Sequence, residues 1–128
     1  MKRVILSLIL FIATVITTHA QHQWKELVDF HDVMSGTYHP AEEGKFLPVR
    51  NRSQEMLDKA IAWNNAAVPS GFNKKAIKKD LKELVREATT LNNLVKANAE
   101  DAKLKDQLDF LHDLFHIIEA KCEKKPTE

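Results

Sequence analysis

Cysteine occurs once in 128 residues, as Cys122, glycine three times and proline four times. A single thiol rules out an internal disulfide framework, so stability has to come from packing, a bound ligand or association. So few glycines leave little for a phosphate-cradling loop. There is no nucleophile elbow or paired-carboxylate signature either, and the chain reads as a non-enzyme. Segments that alternate with a period of two are missing, which removes any strand candidate. Neither sign of charge prevails: 19 Lys and Arg stand against 18 Asp and Glu. That balance argues against a nucleic-acid or membrane partner held by electrostatics.

The one long apolar run lies at the start. Lys2 and Arg3 precede "VILSLILFIATVI", and "TTHAQ" follows. A basic start, a short apolar core and small residues before the cut are the build of a secretory signal peptide. Cleavage is expected after Ala20, so residues 1–20 are assigned as signal peptide and 21–128 as one domain, periplasmic or secreted. The run is shorter than the roughly 20 residues a membrane span needs, and no later stretch qualifies. What remains is enough for one modest core.

Gly and Pro fall almost entirely between periodic segments, and these segments read as four helices. In the first, Trp24, Leu27, Val28, His31, Met34 and Tyr38 recur at three-and-four spacing, which puts them on one face. It is expected to stop before "HPAEEG", because Pro40 disfavours helical geometry in the residue ahead of it. Pro48 suits the first turn of the second helix, where its missing N–H has no partner to lose. Val49, Ser53, Met56, Ala60, Trp63 and Ala67 then step like a coiled-coil seam. Asn73 is the expected cap of a third helix that turns Ile77, Leu81, Leu84, Val85, Ala88, Leu91 and Val95 inward. After "ANAED" the fourth repeats the pattern with Leu104, Leu108, Leu111, Phe115, Ile118 and Cys122. Four amphipathic helices on short connections predict an all-α, up-down-up-down antiparallel four-helix bundle.

Chemistry concentrates in histidine. His112 and His116 lie four apart in "FLHDLFHIIEAKC", about 40° apart around the helix axis, so both rings leave one side one turn apart. His31 is expected inside the apolar face of the first helix. Counting a rise of about 1.5 Å per residue along two antiparallel neighbours sets it at the level of His112 and His116. Three imidazoles at one level suit zinc, copper or nickel, softer ions than those that prefer an all-oxygen shell. Glu119 continues the line of the pair, and Asp109 and Asp113 are near enough to orient a ring. His39 with Glu42 and Glu43, expected in the loop, is a second and separate candidate.

An exported bundle of this size with a histidine late in its last helix resembles the four-helix cytochromes, the c-prime class and their soluble b-type relatives. In the c-prime class that helix carries Cys-x-x-Cys-His. Laid on "HDLFH", His116 takes the axial position, while His112 and Phe115 stand where the cysteines belong. This departure excludes covalent haem. The b-type relatives hold haem b without thioether links, through the late histidine and a methionine of the first helix, which the resemblance implies are His116 and Met34, with His31 as a substitute. A local stretch, "YHPAEEGKFLP", is similar to the His-x-x-x-Glu segment of hemerythrin-like proteins, with His39 and Glu43 in those roles. That family needs further histidines on the next helix, and none occurs between His39 and His112.

Three functions are therefore expected in competition. The first is a metal-binding bundle for handling or sensing a transition ion through His31, His112 and His116. The second is a b-type electron carrier. The third is an interaction or chaperone-like module without a cofactor, with a homodimer as a further possibility.

Overall fold

The computed structural model describes residues 24–122. The expected signal peptide and His22 lie outside them. Four helices follow one another: α1 (Lys25–Glu42), α2 (Leu47–Asn65), α3 (Lys74–Lys96) and α4 (Asp101–Cys122). No strand occurs among the described residues.

Each helix packs on its chain neighbours, and α1 and α4 close the ring, while the backbones of the diagonal pairs α1/α3 and α2/α4 stay apart and only side chains such as Trp63 and Phe115 meet across the core. Cross-helix contacts give the sense of each pairing. Lys59 of α2 faces Asp29 of α1, and Arg52 reaches Gly36. Lys74 donates to the Ala66 carbonyl, and Ser53 meets Asn92. Gln107 meets Glu87, and Lys121 meets Asp80. Tyr38 lies on His112, and His31 on Phe115. In every case one number falls as the other rises, so adjacent helices run in opposite directions.

The inward faces expected of α2 and α4 are buried, apart from Ala67, which falls beyond the end of α2. In α3, Val85 and Val95 are only partly covered, and Asn92 joins the buried set. Its amide closes a polar bridge. Ser53 Oγ donates to Asn92 Oδ1 at 2.9 Å, and Asn92 Nδ2 donates to Gln54 Oε1 at 2.8 Å. Polar groups taken out of water at the α2/α3 seam are thereby satisfied.

Helix α1 differs from expectation in two ways. It runs through Pro40 to Glu42 rather than stopping before it. Proline costs the helix one N–H and crowds the carbonyl of residue 36, but little more than half a turn follows. Ala41 is buried, and a Schellman end repairs the terminus: Gly44 N–H bonds the Ala41 carbonyl and Lys45 N–H the Pro40 carbonyl, with Gly44 at φ 79°. Asn98, at φ 53°, ends α3 in the same way. The second difference is rotation about the axis. Phe30, Val33, Met34, Thr37 and Ala41 are the buried set of α1, and His31 is exposed. Burying a whole phenyl ring outweighs burying an imidazole whose nitrogens need partners.

An aromatic cluster fills one end of the core. Trp24 and Trp63 meet edge to face with centroids 6.0 Å apart, Phe30 stacks on Phe115 at 5.8 Å, and Phe72 covers Trp24 at 5.5 Å. Both indole N–H groups are buried without a hydrogen-bond acceptor. Their neighbours are aromatic rings, whose faces are weak acceptors for N–H. Elsewhere, Arg50 of α2 anchors the α3–α4 turn, with Nη2 on the Ala99 carbonyl at 2.7 Å and on Asp101 Oδ1 at 2.8 Å.

Candidate functional site

The site lies on the outer edge of the α1/α4 seam. Helical spacing sends the rings of His112 and His116 out together, and their Nε2 atoms stand 3.1 Å apart. The rings are nearly perpendicular, with centroids 4.5 Å apart. Tyr38 holds His112 from the α1 side: the two rings are stacked 3.9 Å apart and 6° from parallel. Lys105 sits 5.3 Å from the centroid of the same phenol and pairs with Asp109. Burial pushes the Tyr38 hydroxyl above its ordinary range, with Glu42 and Asp109 adding to the effect. The phenol is therefore neutral at ordinary pH, and the stack is a packing contact that fixes the His112 plane.

The Nδ1 sides of both rings look toward carboxylates. Glu119 Oε1 is 3.4 Å from His116 Nδ1, and Asp113 Oδ1 is 3.6 Å from His112 Nδ1. A carboxylate beside Nδ1 favours the proton on that nitrogen and leaves the lone pair on Nε2. The two Nε2 atoms stand at hydrogen-bond distance, 3.1 Å, so one ring donates to the other, in a direction set by their tautomers. A cation that replaces the shared proton would meet two Nε2 lone pairs converging on one point. Nitrogens at this spacing, each about 2.0–2.1 Å from one ion, subtend roughly 95–100° at it, between square and tetrahedral values.

His31 does not join them. The expected height is right, because its ring lies 5.3 Å from Phe115, and Phe115 lies 5.3 Å from His116. The Phe115 ring touches both, and the rotation of α1 leaves His31 against that ring instead of against the imidazole pair. Among the described residues, no group of three or more His, Cys, Asp or Glu side chains is placed to hold a metal ion.

The remaining candidates are distributed as follows. Glu119 and Asp113 lie on the Nδ1 sides of the rings, whereas Asp109 is taken up by Lys105. His39 belongs to α1 rather than to a loop, and pairs with Glu42 at 3.1 Å, while Glu43 pairs with Lys45 at 2.7 Å. Met34 is buried in the core, and His116 has half of its side chain exposed. The Cys122 thiol, buried, donates to the Glu119 carbonyl at 3.3 Å. Tyr38 is the residue sequence reasoning missed in this role. The height count that places His31 sets Tyr38 about 10 Å further along, near the level of residue 107 rather than His112, so spacing alone does not pair the two rings.

No helix among the described residues is long and apolar enough to cross a membrane. Compared with family models, curated proteins and solved structures, the chain matches none, and its function has to be read from its own geometry.

Proposed function

We propose that this chain is an exported four-helix bundle that binds a transition-metal ion, zinc, copper or nickel, through His112 and His116, for handling or sensing that ion outside the cytoplasm. One observation carries the reading: two Nε2 atoms 3.1 Å apart on one side of α4, with the Glu119 carboxylate 3.4 Å from Nδ1 of His116. This is the outer-shell arrangement that orients imidazole for a metal. His112 is set in advance by its stack on Tyr38, so little ordering remains to be done on binding. Borderline ions prefer such nitrogen donors, while calcium and magnesium prefer oxygen.

Calorimetric titration with zinc, copper and nickel tests it. Wild type is expected to bind, and His112→Ala/His116→Ala to lose the heat of binding. Neutral imidazole is the ligand, so protons compete and binding weakens toward acid pH, with proton release on metal addition. Equal binding by the double variant refutes the assignment. Haem b on His116 and Met34 is the alternative. It requires a methionine that is now in the core to reach a histidine at the surface, and a Soret band on haem addition would favour it.

A further inference from the structure

We infer that the ion held by His112 and His116 is closed by the same two histidines of a second copy of this chain, so that the metal bridges a two-fold dimer across α4. The inference rests on the metal-binding reading above and names the partner that completes that site.

The first ground is a shortage of ligands. Zinc in a closed site takes four donors. One chain offers two, and no third is placed beside them among the described residues. The second is access. His116 has 51% of its side chain exposed, and His112, although covered on one face by Tyr38, still has 25%. A partner therefore reaches the pair without displacing any core residue.

The third ground is symmetry. An isologous contact must present the same patch on both copies. His112 and His116 are equally displaced from residue 114 along a straight helix. A two-fold axis at that level, with the α4 helices antiparallel, brings four imidazoles to one point. The outward strip next to His116 suits a neighbouring helix: Ala120 is small and exposed, and Ile117 is 49% exposed.

The fourth is charge. Asp113, with 81% of its side chain exposed, and Glu119 flank the pair. With the axis at residue 114 the two Asp113 carboxylates come to nearly one level and each Glu119 meets the level of the other copy's Asp109, and like charges in apposition oppose association. A divalent ion at the centre reverses the sign of that field. Association is therefore conditional on metal.

Sedimentation velocity, with calorimetric stoichiometry measured on the same chain, tests the inference. Zinc is the probe and a phosphine reductant is present throughout. The expected result is a monomer in chelator, a doubling of mass at one zinc per two chains, reversal by chelator, and a monomer at all zinc levels for His116→Ala with an unchanged far-UV circular dichroism spectrum. One zinc bound per monomeric chain overturns the bridge and leaves the metal-binding reading standing. Absence of any zinc binding overturns both. A dimer that persists in chelator or in His116→Ala also overturns the bridge.

Discussion

Asn92 offers the sharpest quantitative test of how this bundle is held in register. Its amide is 97% buried and bonds Ser53 and Gln54 across the α2/α3 seam. Asn92→Ala removes two hydrogen bonds worth about 1 kcal/mol each net. It also strands the hydroxyl of Ser53, itself only 3% exposed. An unsatisfied buried donor costs about 1–3 kcal/mol, partly relieved if the hydroxyl turns to the carbonyl four residues back in its own helix. Gln54 is exposed and regains water, so its share is small. The expected loss is about 2–3 kcal/mol, a drop in Tm on the order of 8–20 °C for a domain of this size. Removing both polar partners has a different outcome. Ser53→Ala with Asn92→Leu leaves no stranded donor and keeps most of the volume, so the double variant is expected within about 1 kcal/mol of wild type. Urea unfolding followed by circular dichroism measures both. The reasoning fails if Asn92→Ala lies within about 0.5 kcal/mol of wild type, or if the double variant is as unstable as the single one.

Other outcomes follow from the same contacts. Arg50→Ala should cost about 1–2 kcal/mol, since a charged donor is lost to a backbone carbonyl. Hydrogen exchange should quicken first in the Ala97–Asp101 turn, and Arg50→Lys should not fully restore it, because a single ammonium cannot also make the Nη1 contact to Asn98 Oδ1 at 3.5 Å. Trp63→Phe should cost far less than Trp63→Ala, for which about 3–5 kcal/mol is expected, because the indole N–H has no hydrogen-bond acceptor to lose; equal losses in urea unfolding would contradict this. The hydrogen bond from Gln107, then the contacts with Arg86, hold the Glu87 carboxyl below its ordinary 4.5. A lowered acid contributes stability above its unfolded value and loses it as pH falls through the folded one. Stability should therefore decline below about pH 4.5, and Glu87→Gln should flatten that decline in a Tm series against pH.

Much of the fold was legible because α2, α3 and α4 each carry one dominant apolar stripe, with lysines and acids elsewhere. Nothing competes with Leu104, Leu108 and Leu111 for the inward side of α4. Helix α1 offered two stripes about one residue apart, and spacing does not choose between them. The choice falls to the volume of Phe30, a property of the assembled core. Pro40 was misread for a related reason: a local preference of a few kcal/mol gave way to burial of Ala41 and a well-formed helix end. At the site, the His112/His116 pair needed only helical geometry to be seen. His31 needed the rotation of a second helix, which the sequence leaves undetermined. Asn92 carried no mark in the sequence to separate it from a surface amide, since its partner lies 39 residues away.

Adjacency of α1 and α4 has a further consequence for the chain as a thread. The start of one helix and the end of the other lie at the same extremity of the bundle, although nearly a hundred residues of chain separate Lys25 from Cys122. Among the described residues, the path from Lys25 to Cys122 leaves and returns to one end of the bundle. Splicing those extremities with a few flexible residues and cutting instead at the exposed Gly71 connection should return the same architecture. Such a permuted thread would also carry α4 and α1 as consecutive segments, making their meeting a local event instead of the longest-range closure in the molecule.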